Sequence, residues 1–140
     1  MSRSNYNDEC DGWELIRWRG AVASAINGAR GQQMLRELAE ALDAMPQKRL
    51  IVESLISDGE VCAMGCLGRR RGIDMSEIDP YDPETVAKVF GIAPALAREI
   101  ACINDDWGYH NTPEERWGIV RRWVSENLHG IRPETPPLSA

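Results

Sequence analysis

Apolar residues recur at helical spacing after Gln32, and this stripe constrains the fold more than any other feature of the sequence. The residues on this face are Leu35, Leu38, Ala39, Leu42 and Met45. Residues three and four positions apart share a face of an α-helix, so the pattern predicts an amphipathic helix from Gln32 to about Ala44. Pro46 should end it, because proline cannot continue a helix.

Local start and stop signals divide the rest of the chain into short helices. The expected starts are Asp11 with Glu14, Ser57 with Glu60, Asp82 with Pro83, Pro94, and Thr112 with Pro113 and Glu115. The expected ends are near Asn27–Gly28, before Gly72, at Gly91 and at Gly130. The helix after Ser57 is thus expected to begin near Asp58. Residues 48–57 are rich in β-branched side chains and favour a short strand or an irregular stretch.

These signals predict a mostly α fold: a compact single-domain bundle of about six short helices, with room for a minor β-hairpin. The helical domain is expected over residues 11–130, between flexible ends at residues 1–10 and 131–140 that are polar or rich in proline. A length of 140 residues matches one domain, and 43% hydrophobic and 27% charged residues are typical of a globular chain.

The charge balance restricts the kinds of partner. Sixteen basic and 22 acidic residues give a net charge of −6, which opposes direct, non-specific binding of nucleic acid. No apolar run is long enough to span a membrane, and the first residues lack the apolar core of a secretory signal. We therefore expect no membrane association, a cytoplasmic location and four reduced cysteines.

The stretch "VCAMGCLGRRRG", residues 61–72, raises the question of a metal or phosphate site. Cys62 and Cys66 lie four apart and could supply two ligands of a zinc site, but no other Cys or His pair has the spacing of such sites. Gly65 and Gly68 lack the lysine and hydroxyl of a phosphate loop. The small residues more simply allow another helix to approach closely, so we expect neither a metal ion nor another cofactor.

Two clusters in the helices could form a contact surface. Arg69, Arg70 and Arg71 are expected at the C-terminal end of a helix, where a positive charge offsets the negative end of the helix dipole. One cation would suffice for that role, so three in a row also suggest a local anion or partner contact. The second cluster lies in "WELIRWRG" and comprises Trp13, Arg17, Trp18 and Arg19. Tryptophan and arginine are over-represented at binding hot spots, although tryptophan is equally common in cores.

A third cluster lies in the loop "INDDWGYHNT". Asn104, Asp105, Trp107 and Tyr109 are candidate binding residues there, since loops between helices often carry binding side chains. Asp105 with His110 could alternatively act as acid and base in an enzyme, but His110 has no nucleophile partner in the sequence.

The segment "ETVAKVFGIAPALAREI" has the outline of a helix-turn-helix. Its second helix continues as "PALAREIACIND" and offers Arg98 as its only basic side chain, which is a poor set for reading base edges. A helix-turn-helix-like regulator is therefore an alternative rather than the preferred interpretation.

At "CDGWELIRWRGAVASAINGARG", "GEVCAMGCLGRRRG" and "IAPALAREIACINDDWG", the sequence resembles a group of small uncharacterised accessory proteins encoded by tailed bacteriophages and prophages. The resemblance covers roughly residues 4 to 128. It implies an accessory phage protein that works in the cytoplasm of the bacterial host. It names no target and no catalytic residues.

The sequence is compatible with three classes of function. The preferred hypothesis is a non-enzymatic inhibitor that binds a host defence protein or ribonucleoprotein complex through an acidic surface, as an anti-CRISPR or similar anti-defence protein does. The first alternative is a sponge for a small ligand or nucleotide, in which arginines of the two clusters converge with an aromatic ring. The second is an enzyme that uses Asp105 or His110.

Overall fold

Six helices and a two-stranded antiparallel sheet make up the described part of the chain. The computed structural model describes residues 12–107 and 111–129, with side chains described from Ile16 onward. The helices are α1 (Gly12–Asn27), α2 (Ala29–Asp43), α3 (Ala63–Arg71), α4 (Pro83–Phe90), α5 (Pro94–Asp105) and α6 (Pro113–Asn127). The strands are β1 (Ile56–Ser57) and β2 (Glu60–Val61). The predicted mostly α architecture is confirmed, including the minor hairpin.

Helix α2 carries the predicted apolar stripe except Met45, which follows its end, and all five residues are buried. Leu35, Leu38 and Leu42 are completely inaccessible to solvent, because α1, α3 and α6 all pack against this helix. Each leucine that leaves water contributes about 1.5–3 kcal/mol to folding. The stripe therefore forms the part of the core between α2 and the three helices that pack on it.

The predicted caps of α4 and α6 are confirmed at the level of individual hydrogen bonds. Asp82 accepts a hydrogen bond from the Thr85 backbone N–H at 3.2 Å. Thr112 and Glu115 form a complete capping box, with distances of 3.1 and 3.0 Å. Gly91 ends α4 in the left-handed conformation that favours glycine, as the sequence predicts.

The predicted helix start near Asp58 is wrong. Asp58 and Gly59 have φ values of 54° and 80° and form the turn of the β1–β2 hairpin, in which Ser57 pairs with Glu60. An Asp-Gly pair between two strands favours this turn, and that signal outweighs the capping-box spacing of Ser57 and Glu60. Helix α3 begins only at Ala63, whereas its predicted end before Gly72 is confirmed.

The ambiguous segment 48–57 is irregular as far as the short strand β1, in agreement with the sequence-based expectation. Its backbone is held by neighbours on both sides. The Leu50 N–H donates to the Pro113 carbonyl at 3.1 Å, and the Ile51 N–H donates to the Val61 carbonyl at 3.0 Å. Through these two hydrogen bonds the segment joins the start of α6 to the hairpin.

Helix α5 lies at the centre of the fold and packs against α1, α3, α4 and α6. Within α5 only Pro94 is exposed, whereas Leu96, Ile100 and Ile103 are buried. A helix that reads DNA must present several side chains to the major groove. This burial weighs against the helix-turn-helix alternative, in which α5 would be the reading helix.

Several expectations concern residues outside the described part of the chain. These are the flexible ends, the capping role of Asp11 and the helix end at Gly130. None of the described helices combines the length and apolarity that crossing a bilayer requires.

Candidate functional site

The cysteines of α3 are packing residues in this fold. Cys62 and Cys66 are both buried, and the Cys62 sulfur accepts a hydrogen bond from the Gly65 N–H at 3.4 Å as the N-cap of the helix. Burial raises the pKa of the Cys66 thiol to about 11, against a smaller opposing effect of Arg69. A buried thiol of this kind is unreactive.

Native protein treated with iodoacetamide at about pH 8 is expected to leave Cys66 unmodified. Only about one Cys66 thiol in a thousand is ionised at that pH, and the side chain is enclosed. Peptide mass spectrometry should find alkylated Cys66 only after unfolding in concentrated urea, whereas the half-exposed Cys102 should react earlier. Rapid native labelling of Cys66 would contradict the assignment.

The close approach of a helix that the sequence predicts for these glycines is found at Gly68 but not at Gly65. A Cβ at Gly65 would lie 1.8 Å from the carbonyl oxygen of Leu55, which belongs to the irregular segment and not to a helix. At Gly68 a Cβ would lie 2.5 Å from the Met75 sulfur and 3.1 Å from the ring of Phe90 in α4. Gly65 thus allows backbone to pack on backbone.

The three arginines at the end of α3 point to different neighbours. Arg69 donates to the Gly59 carbonyl at 3.0 Å, and Arg70 lies 4.0 Å from a Glu40 carboxylate oxygen. Arg71 forms an ion pair with Glu37 at 2.7 Å. Each of the three thus has its own internal partner, although all three remain exposed, and internal contacts account for a large part of their placement.

Asn104 and Asp105 lie inside the protein, with exposures of 0% and 3%. The Asn104 amide oxygen accepts from the Ala63 N–H at 3.0 Å, and its NH₂ group donates to the Ile51 carbonyl and to Asp105, both at 2.8 Å. Asp105 also accepts from the Glu53 N–H at 3.2 Å. These side chains clamp α5 to the irregular segment and to α3, which leaves neither of them on a contact surface.

Arg116 extends this buried polar cluster from α6. Its guanidinium donates to the carbonyls of Leu50 at 2.9 Å and Asn111 at 3.1 Å. Burial lowers the pKa of Arg116, and the nearby carboxylate of Asp105 opposes that effect. Arg116 is not among the candidates derived from the sequence. An arginine in a helix reads the same in the sequence whether it is buried or exposed, and only tertiary packing decides between the two.

The aromatic candidates of α1 divide between core and surface. Trp18 is half-buried against the core, and the exposed Arg19 guanidinium lies 5.6 Å from the centre of its ring. Arg17 is exposed and forms no hydrogen bond or ion pair with any described residue. The side chain of Trp13 lies outside the described part of the structure, so the Trp13 hypothesis stays a prediction.

Trp107 follows α5 and is 60% exposed, the second most exposed large hydrophobic residue after Ile16 among those described. It lines an open cavity of about 480 Å³ together with Ile119 and Trp123 of α6. Tyr109 and His110, which the sequence groups with Trp107, lie outside the described residues.

An acidic segment, residues 74–84, forms a charged surface that is not among the candidate sites derived from the sequence. Its carboxylates are Asp74, Glu77, Asp79, Asp82 and Glu84. Four of them are exposed and Asp82 is partly exposed, and none forms an ion pair with a described residue. The chain has no Lys or Arg between Arg71 and Lys88, so a plot of charge along the sequence would have found this segment.

Local hydrogen bonds stabilise turns within the acidic segment. Asp74 accepts from the Ser76 hydroxyl at 2.7 Å, and the Tyr81 N–H donates to Asp79 at 2.9 Å. The Tyr81 hydroxyl reaches Glu53 at 3.1 Å, while 40% of the tyrosine side chain remains exposed. The segment thus presents negative charge beside an exposed aromatic ring.

Metal binding has no assembled site in the described part of the chain, where no three His, Cys, Asp or Glu side chains are grouped for one ion. The comparisons with known proteins add no assignment. No protein-family model and no curated protein matches the sequence, and no solved structure matches the fold.

Proposed function

We propose that this protein is a non-enzymatic inhibitor that binds a host defence protein or ribonucleoprotein complex through its acidic segment. The observation that carries the proposal is that all five carboxylates of residues 74–84 lack a cation among the described residues. Charges that the fold does not neutralise remain available to a basic partner.

Electrostatics supports a partner that itself binds nucleic acid. Such proteins expose clusters of Lys and Arg that neutralise phosphates, and a row of carboxylates can occupy the same cations. Complementary charge speeds encounter and selects the partner, while a central aromatic side chain adds affinity. Tyr81 is the exposed aromatic side chain of the acidic segment. The resemblance to phage accessory proteins agrees with a target in the bacterial cytoplasm.

The test begins with tagged full-length protein as bait in host lysate, followed by mass spectrometry. We expect a near-stoichiometric partner that is released above ~0.5 M salt, because salt screens contacts between exposed charges. The partner, purified separately, should bind its nucleic acid more weakly as this protein is added.

The variant Glu77→Gln with Glu84→Gln is expected to weaken the complex by about two- to thirtyfold, since each exposed ion pair contributes about 0.2–1 kcal/mol. Neither carboxylate has a partner in the described structure, so the fold should be unaffected. Glu126→Gln, which removes an exposed carboxylate from α6, is the matched control and should bind as the unmodified chain does. Equal affinities for all three proteins would refute the role of the acidic segment.

A further inference from the structure

We propose a second site, a basic groove that binds a small molecule carrying a phosphate monoester. The groove is an open cavity of about 420 Å³ at the junction of α2, the end of α3 and the end of α4. Its lining comprises Ala29, Arg30, Gln33, Met34, Arg36, Arg71, Phe90 and Gly91. Three arginines thus line one concave surface of a protein whose net charge is −6.

Arg71 is held in position before any ligand arrives. Its Nε and Nη2 atoms bind the Glu37 carboxylate at 2.8 and 2.7 Å, and its Nη1 donates to the Phe90 carbonyl at 3.1 Å. The guanidinium also lies 6.0 Å from the centre of the Phe90 ring. A fixed planar donor loses little conformational freedom when it binds an oxyanion.

Side-chain hydrogen bonds on α2 connect Arg71 with a second arginine. Arg36 donates to the Gln33 amide oxygen at 3.0 Å, and the Gln33 NH₂ group donates to Glu37 at 3.1 Å. These bonds, led by the one from Gln33, lower the pKa of Glu37, so that this carboxylate stays ionised and keeps Arg71 paired. Arg36 itself has only a neutral partner among the described residues.

Arg30 is the third guanidinium, and no described side chain or backbone carbonyl accepts from it. The three arginines and Glu37 together leave two positive charges in the groove without a described counter-charge. A phosphate monoester carries close to two negative charges at neutral pH and accepts several hydrogen bonds, whereas a carboxylate carries one. This charge match selects the phosphate.

A neighbouring cavity of about 570 Å³ shares Ala29 and Arg30 with the basic groove. The rest of its lining is mainly small or apolar: Ala21, Ser24, Ala25, Gly28, Gly31, Ile92, Ala93 and Leu96. Both volumes are in the range of small-molecule sites. A ligand with its phosphate at Arg30 can therefore place its organic part in the apolar cavity.

This proposal does not depend on the acidic segment, since the two sites share no residue. Isothermal titration of the full chain with adenosine monophosphate and with phenyl phosphate tests it, and adenosine and phenol serve as uncharged controls. We expect at least one phosphate ester to bind at least tenfold more tightly than its uncharged analogue. Tighter binding of adenosine monophosphate would indicate that the site takes a nucleotide, and tighter binding of phenyl phosphate would indicate a simpler phosphate ester.

The matched variants are Arg30→Gln in the groove and Arg122→Gln on α6, both of which remove an exposed arginine with no described partner. Loss of a charge-assisted hydrogen bond should weaken phosphate-ester binding about tenfold or more in Arg30→Gln and leave Arg122→Gln unchanged. Circular dichroism should show the same melting temperature for both. Failure of both esters to bind, or equal affinity of the two variants for the ester that binds, would overturn the proposal.

Discussion

Replacing Gly65 with alanine is expected to lower the free energy of unfolding by about 2–3 kcal/mol. The added methyl carbon would overlap the Leu55 carbonyl oxygen at 1.8 Å, and two backbones must separate to admit it. That separation also strains the hydrogen bond of 3.2 Å from the Cys62 N–H to the same carbonyl. Urea unfolding followed by circular dichroism measures the loss.

Two other glycines of the helices provide controls for this substitution. Gly118→Ala in α6 meets no atom within 4 Å and should raise stability by about 0.5–1 kcal/mol, because alanine is the better helix former. Gly68→Ala should fall between the two, since the nearest atom is the flexible Met75 side chain. Gly65→Ala with unchanged stability would show that the Leu55 segment is not held against α3.

Replacing Asn104 with alanine is expected to cost about 3–5 kcal/mol, the largest effect of any substitution considered for this protein. The variant removes the hydrogen-bond partner of the Ala63 N–H and of the Ile51 carbonyl. Asn104 is fully buried, so water does not replace the lost bonds. Each buried group without a partner costs about 1–3 kcal/mol. The same urea titration measures this change.

Gln33→Ala is the comparison for Asn104→Ala, because it removes an amide of similar bonding capacity from an exposed position of α2. Its cost should stay below about 0.5 kcal/mol, since water replaces the lost hydrogen bonds. A loss of under about 1 kcal/mol for Asn104→Ala would mean that the buried clamp does not hold the irregular segment, and Asn104 would again be a candidate contact residue.

Sequence reasoning succeeded where a structural feature depends on neighbours within one helical turn. The caps at Asp82 and Thr112, the end at Gly91 and the buried stripe of α2 are features of this kind. It failed at Ser57–Glu60, where two local signals compete over the same residues. The Asp-Gly turn forms there instead of a helix start. The resulting hairpin accepts a hydrogen bond from the N–H of residue 51, and the carbonyl of residue 55 accepts one from the Cys62 N–H.

The candidate sites were less predictable than the fold, because exposure depends on contacts between residues far apart in the sequence. Asn104 in α5 and Arg122 in α6 are both polar residues of helices, yet the first is buried and the second is exposed. The basic groove brings Arg30 and Arg36 together with Arg71, which follows them by 35 residues or more. No pattern in the sequence indicates that approach.

The amino-acid sequence by itself determined the number of helices, most of their ends, the apolar face of α2 and the excess of negative charge. These properties follow from hydrogen bonds, side-chain periodicity and charge counts, all of which act over a few residues. Only the tertiary structure decided which polar side chains are enclosed, which arginines converge and which carboxylates keep no cation. Those outcomes depend on how the helices pack, and the free energy of packing is a sum over distant residues that no short segment contains.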